Sequence, residues 1–249
     1  MVDFKLSEEQ EMLRELAHEF AAENVRPNAD HWDENSEFPM EAIEAAHDLG
    51  LMNLHVPEAY GGMGMGCLDE VIVQEEFAWG DPGFATAAYS NGLTAAPIIT
   101  GGTEEQKAKY LGRLTEAPRI AAYAVTEPGA GSDVAGIKTR ADRTHGGYVL
   151  NGSKIYCTNS AIADFIVVAA KIDPDQRHGG VCLFLVEKGM KGFEIGRNEN
   201  KLGSRGIPSS ALHFDNVFIP EENRLGSEKE GFKLVMEAFN KARPSIGAR

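Results

Sequence analysis

Basic charge is what this chain has least of. Among 249 residues, Lys and Arg number 24 against 38 Asp and Glu, a formal net charge of −14. Sequence-independent nucleic-acid binding needs clustered Lys and Arg, so that class of partner is excluded. Long apolar runs are missing too. A stretch such as Phe165–Ala170 reads as a buried strand and falls far short of the roughly 18 residues a membrane span needs, so no membrane partner is expected. The three cysteines, Cys67, Cys157 and Cys182, lie far apart with no CxxC spacing. They read as buried free thiols in a reducing compartment, not as a disulfide or zinc framework. The seven histidines are scattered without metal-ligand spacing, and no Ser-His-Asp arrangement is supported. The opening MVDFKLSEEQ has neither a basic start nor an apolar core, so no secretory signal is expected and the expected location is cytoplasmic. Asn151-Gly152-Ser153 then reads as a turn and not as a glycosylation acceptor.

What is present is an ordinary globular balance, 43% hydrophobic and 25% charged, in a chain long enough for one large domain or two smaller ones. Residues 1–118 carry helical signals. Ser7 with Gln10 and Thr103 with Gln106 are capping boxes. Met12, Leu13, Leu16 and Phe20 share a helical face, as do Ile43, Ala46 and Leu49 between Pro39 and Gly50. A further helix through Val71, Ile72, Glu75 and Phe77 is expected to end near Gly80-Asp81-Pro82. From 119 to 228 the texture is extended. Short β-rich runs at 120–126, 148–156, 165–172, 181–186 and 212–219 predict an antiparallel sheet or barrel. From 229 to 249 helix returns, with Phe232, Val235, Met236 and Phe239 at i, i+3, i+4 and i+7.

Three segments invite a chemical reading. Gly61–Gly66 fails GxGxxG spacing and has no strand before it, so it reads as a helix connector. Thr126-Glu127-Pro128-Gly129-Ala130-Gly131-Ser132 follows a strand directly. Its glycines permit close backbone approach, its amides can form an anion-binding nest, and Thr126 and Ser132 add hydroxyls. It lacks the Gly-Lys-Ser/Thr of a P-loop, and it reads equally well as a plain β-turn. Asn151-Gly152 has hairpin-turn chemistry. The arm beyond it carries Tyr156, Cys157 and Thr158, an aromatic beside a hydroxyl that suits either a planar ligand or a strand.

Tyr123–Asp133, Asn151–Asn159, Lys201–Arg205 and Phe239–Pro244 together resemble the acyl-CoA dehydrogenase family. The stretches Leu49–Asn53 and Pro57–Gly62 resemble its medium- and short-chain members most. The resemblance implies an α+β chain: an N-terminal helical domain (1–118), a middle antiparallel β-barrel domain (119–228) and the start (229–249) of a C-terminal helical bundle that is otherwise absent. It implies FAD lined by Tyr123, Val125, Thr126, Gly131, Ser132, Tyr156, Cys157 and Thr158. Tyr156 stands where the family usually has tryptophan. Ser132, Phe239, Asn240 and Arg243 are implied at the acyl-CoA substrate, with Asn240 replacing an aspartate of close relatives. Tyr89 falls at the floor of the acyl pocket, or else packs between helices.

The implied chemistry is α,β-dehydrogenation of an acyl-CoA in fatty-acid catabolism (β-oxidation). A carboxylate takes the α-proton, FAD takes hydride, and electrons pass to electron-transferring flavoprotein. No catalytic residue is assigned. One family position for the base matches Ala242, the other lies deep in the C-terminal bundle, and Glu237 reads as a surface or packing residue. A chain that stops inside an amphipathic helix is expected to be part of a longer family member, homo-oligomeric when whole. Two alternatives are a naturally short subunit that binds FAD or a partner without catalysing, and an acyl-CoA oxidase that uses oxygen.

Overall fold

A computed structural model describes residues 5–249. The first four residues, part of the stretch read as free of a secretory start, lie outside it. The chain folds as helices, then a sheet, then one long helix, the α+β order expected from sequence.

Helix α1 (Glu8–Phe20) begins at the expected capping box: Ser7 Oγ accepts from the Gln10 amide at 3.2 Å, and Gln10 Oε1 accepts from the Ser7 amide at 3.1 Å. It buries Ala17 and Phe20 but leaves Met12 and Leu16 exposed, so only part of the expected apolar stripe is covered. The chain continues through a π-helical turn (Ala21–Val25) and a 3-10 turn (Arg26–Asn28) into α2 (Ala29–Asn35). Helix α3 (Met40–Asp48) starts after Pro39 and buries Ala42, Ile43 and Ala46. Gly50, just beyond it, takes φ +71°, the left-handed stop that glycine supplies at low cost. Helix α4 (Cys67–Gly80) ends where expected. Asp81 then caps a further helix, α5 (Pro82–Gly101), by accepting from the Gly83 and Phe84 amides at 3.1 and 2.7 Å. Helix α6 (Glu104–Thr115) opens on the Thr103–Gln106 capping box.

The strands are β1 (Ala121–Ala124), β2 (Arg140–Thr144), β3 (Gly147–Thr158), β4 (Phe165–Lys171), β5 (Val181–Glu187), β6 (Phe193–Asn198), β7 (Ser209–Pro220) and β8 (Arg224–Leu225). Their order is β6-β7-β3-β2-β4-β5-β8, with β1 paired to β4. The ladder is antiparallel except that β1 and β2 each run parallel to β4. Asn151-Gly152 is not the hairpin turn. Both residues lie inside β3 at a register shift against β7, and the two-residue hairpin is His145-Gly146, with Gly146 at φ +78°. Of the three free thiols, Cys157 and Cys182 are buried as expected and Cys67 is exposed.

Helix α7 (Gly231–Ala248) packs on the sheet and α5 through Leu234, Val235 and Ala238, with Phe232, Met236 and Phe239 partly buried beside them. A polar seam joins α5 to the sheet. Asn91, fully buried, donates to the Arg119 carbonyl and accepts from the Ala121 amide, both at 2.8 Å. Asn159 donates to the Ala87 carbonyl at 3.1 Å and to Ser90 Oγ at 2.7 Å. Replacing Asn91 with leucine strips two buried main-chain groups of partners, each costing about 1–3 kcal/mol. Urea unfolding of Asn91→Leu should show a lower midpoint at unchanged slope; an unchanged midpoint would mean the seam contributes nothing.

Candidate functional site

The β1–β2 loop carries most of the chemistry singled out in the sequence, and one buried ion pair organises it. Lys154, fully buried on β3, donates to Glu127 Oε1 at 2.7 Å and to the Val125 carbonyl at 3.0 Å. Glu127 also accepts the amides of Lys138 and Thr139 at 2.6 and 2.9 Å. The carboxylate thus ties the start of the loop to its end, and the ammonium ties both to β3. Burial pushes the Glu127 carboxyl up, but Lys154 and the Thr139 and Lys138 amides outweigh it and hold the pKa below the usual carboxylate range. Burial pulls Lys154 down to about 8, against the Glu127 charge. Sequence reading passed over both residues, although they stand in the two quoted motifs. A lysine facing the inside of a sheet was the available signal, but the bulges in β3 hide which way it faces.

Between these anchors the chain makes a tight turn, with Glu127 and Ala130 exchanging main-chain hydrogen bonds at 2.9 and 3.1 Å. The plain-turn and ligand-loop readings therefore coexist. Gly129, Gly131 and Ser132 are exposed at its tip. A Cβ at Gly129 or Gly131 would meet nothing within 4 Å, and neither glycine has a positive φ. Nothing inside the chain demands glycine there.

The strand β3 runs alongside. The Ile155 amide donates to the Thr126 carbonyl at 3.0 Å. Tyr156 follows at φ +54° within a register shift of β3 and is 63% exposed. A tyrosine in the left-handed region costs about 1–3 kcal/mol, and such strain collects at ligand sites. Thr158 is half-buried at the strand's end. Cys157 points the other way: its thiol is buried and donates to the Tyr123 carbonyl at 3.7 Å, and burial pushes it up to about 12. The Cys157 side chain belongs to the sheet interior, which leaves its main chain for the expected cofactor contact.

On β1, the Tyr123 ring meets Phe239 of α7 edge-on, with centroids 6.1 Å apart at 88°. The Tyr123 hydroxyl is buried with no hydrogen-bond partner, and burial raises its pKa. The fold thus gathers Tyr123, Val125, Thr126, Tyr156 and Thr158 around β1 and the end of β3, with Phe239 added from α7. Asn240 and Arg243 lie on the exposed face of α7, where the guanidinium donates to Asn240 Oδ1. Tyr89 is buried on α5 among the helices. Ala242 is buried and offers no titratable group. No group of His, Cys, Asp and Glu suited to a metal occurs among the described residues.

Comparison with known proteins bears on the whole chain. Residues 7–117 match the family model for the acyl-CoA dehydrogenase N-terminal domain, and residues 122–217 that for its middle domain. The chain is 40% identical over 250 aligned residues to a probable medium-chain specific acyl-CoA dehydrogenase 2, mitochondrial, of Caenorhabditis briggsae, covering 99% of this chain and 61% of that protein. It is 39% identical to a short-chain specific acyl-CoA dehydrogenase of Clostridium acetobutylicum, covering 100% of this chain and 66% of that one. The three-dimensional structure of butyryl-CoA dehydrogenase from Megasphaera elsdenii superposes with a TM-score of 0.93 at 35% identity, covering 99% of this chain and 66% of that one. The chain therefore spans a little under two thirds of the length of the relatives it matches.

Breaking the buried pair at one end leaves a charge without a partner, at a cost of about 3–5 kcal/mol. Lys154→Met should lose stability on that scale in urea unfolding, and adding Glu127→Gln should return part of it. A double mutant no better than the single would show that the pair is not what the interior is built around.

Proposed function

Because this chain belongs to the acyl-CoA dehydrogenase family, we propose that it supplies the FAD- and acyl-CoA-binding surfaces of an enzyme that dehydrogenates acyl-CoA thioesters at the α,β-bond. The observation that carries the reading is the open cradle at the loop tip, Gly129–Ser132, beside the strained, exposed Tyr156. The residues fit a flavin. Space lies above two glycines that the fold itself does not need, and the orphaned Tyr123 hydroxyl waits nearby for a polar partner.

When bound, FAD supplies the hydride-accepting chemistry. The loop amides and the Thr126 and Ser132 hydroxyls hold its phosphates. Tyr156 covers the ring, and Thr158 offers a hydroxyl to its edge. Ser132, Asn240 and Arg243 serve the CoA moiety, and Phe239 and Tyr89 line the way to the acyl end. Electron-transferring flavoprotein is the proposed electron acceptor, β-oxidation in the cytoplasm the proposed setting, and a homo-oligomer the proposed assembly. No helix among the described residues is long and apolar enough to cross a membrane.

The α-proton needs a base, and Ala242 cannot take it. Such a base contributes about 10²–10⁴-fold. These 249 residues alone should therefore bind acyl-CoA without bleaching flavin at a normal rate; rapid bleaching by butyryl-CoA in an anaerobic spectrophotometric assay would place a base among them.

Flavin binding has a clean test. A Cβ at Gly131 meets nothing within 4 Å, so Gly131→Val should leave thermal unfolding unchanged and weaken FAD binding, read by quenching of flavin fluorescence. Thr158→Ala should be milder, by about 0.5–1.5 kcal/mol. Wild-type affinity in Gly131→Val would reduce the loop to a turn.

A further inference from the structure

The segment Thr126–Ser132 carries one carboxylate, Glu127, and no cation of its own. Just beyond it Asp133 accepts from Arg177 at 2.7 Å, so those two exposed charges offset each other. The cation beneath the loop is Lys154, fully buried on β3. Its ammonium cannot touch a ligand, but it touches the peptide that joins Val125 to Thr126.

Lys154 Nζ donates to the Val125 carbonyl at 3.0 Å. The other end of that peptide is the Thr126 amide, which makes no hydrogen bond among the described residues. The peptide is trans, so its N–H points away from its C=O. The carbonyl therefore faces the ammonium, and the amide faces away from it. A carbonyl that accepts from a cation is polarised, and the N–H of the same peptide becomes a stronger donor. The Thr126 carbonyl is held in turn by the Ile155 amide at 3.0 Å, which fixes the residue against β3. Glu127 offsets the ammonium only in part at this point. Its Oε1 lies 2.7 Å from Nζ, but its oxygens also accept the Lys138 and Thr139 amides at the far end of the loop.

We propose that Lys154 is a positioning residue for FAD: its charge, carried through the Val125–Thr126 peptide, makes the Thr126 amide a stronger donor to an oxygen of the cofactor. The proposal rests on the flavin reading above. A phosphate oxygen and a carbonyl oxygen of the ring offer that amide the same chemistry, and riboflavin tells them apart.

A lysine that only holds the sheet together and one that lends its charge differ when the proton is removed and the side chain is kept. The titratable groups around Lys154 are Glu127 from the loop, Cys157 on β3 and Tyr123 on β1; Leu212, its register partner on β7, is apolar. Glu127 is held as a carboxylate, and burial keeps the Tyr123 hydroxyl and the Cys157 thiol, pushed up to about 12, neutral. Lys154, pulled down to about 8, is the member of this group that changes charge between pH 7 and pH 9.

FAD affinity, read by quenching of flavin fluorescence, should fall several-fold across that range, by up to about ten-fold for each unit by which binding raises the Lys154 pKa. Over the same range the contribution of Lys154 to folding stability rises, because the unfolded chain holds the proton more tightly. Affinity and stability thus move in opposite directions, which a purely structural role would not produce. Lys154→Met should bind FAD about ten-fold more weakly at pH 7 and show no further fall toward pH 9. Circular dichroism establishes that the variant is folded, and the wild-type profile decides even where it is not. Riboflavin has the ring without phosphate: a riboflavin affinity that falls with FAD's places the amide at the ring, and a flat one places it at the phosphates. A flat wild-type FAD profile, or a Lys154→Met profile that falls like the wild type's, overturns the role of Lys154 and leaves the flavin reading intact. Failure of the wild type to bind FAD at pH 7 overturns both.

Discussion

Lys154 is an ammonium ion without contact with water, and the loop from Val125 to Thr139 is shaped by that fact. Removing a charge from solvent costs several kcal/mol unless close partners replace the water. Here the replacements are the Glu127 carboxylate and the Val125 carbonyl. Glu127 in turn needs donors for its own oxygens and takes the Lys138 and Thr139 amides. Each requirement fixes a point of main chain that has no other regular pairing. The exposed tip is left free to follow a ligand, while its base is pinned on three sides. A glycine loop alone would be loose; a glycine loop on a buried ion pair is preorganised.

Legibility in the sequence follows the physics of each signal. Both capping boxes are local, three residues apart, and both form as read. The stripe Phe232, Val235, Met236 and Phe239 is a repeating pattern and appears on α7. Helix α5 went unread because it is covered on nearly all sides. Thirteen of its 20 residues are buried, so no polar face remains to set a period, and its Gly and Pro suggest a loop. Strand β2, Arg-Ala-Asp-Arg-Thr, is mostly charged and exposed, and its pairing with β3 is invisible in composition. Asn151-Gly152 misled because φ above zero serves a bulge as well as a hairpin; Gly152, at φ +141°, serves the bulge. The site motifs were legible as a family signature, but Lys154 and Glu127 were not singled out, because their partnership spans 27 residues and exists only after folding.

The unpaired buried polar atoms lie at several places in the fold. The β1–β2 loop satisfies even its buried charges. The orphans include the Tyr123 hydroxyl on β1, Gln74 Oε1 on α4, Asn159 Oδ1 after β3, Arg224 Nε on β8 and Glu237 Oε2 on α7, with His55 Nε2 near α5. Glu237, expected as a surface or packing residue, is half-buried and reaches only Lys233, at 3.7 Å. A fold that satisfies Lys154 so fully has no general difficulty in pairing its polar groups. Part of the deficit lies on the side of α7 that faces β1 and α5. That side carries Phe239 against Tyr123 at one point and Arg249 against Tyr89 at another. An interior finished in this way is stable enough to form, and part of its remaining hydrogen-bonding capacity lies between α7, α5 and β1. Ligands that bring acceptors and apolar surface to that ground complete the interior as they bind, which makes binding and stability a single linked equilibrium there.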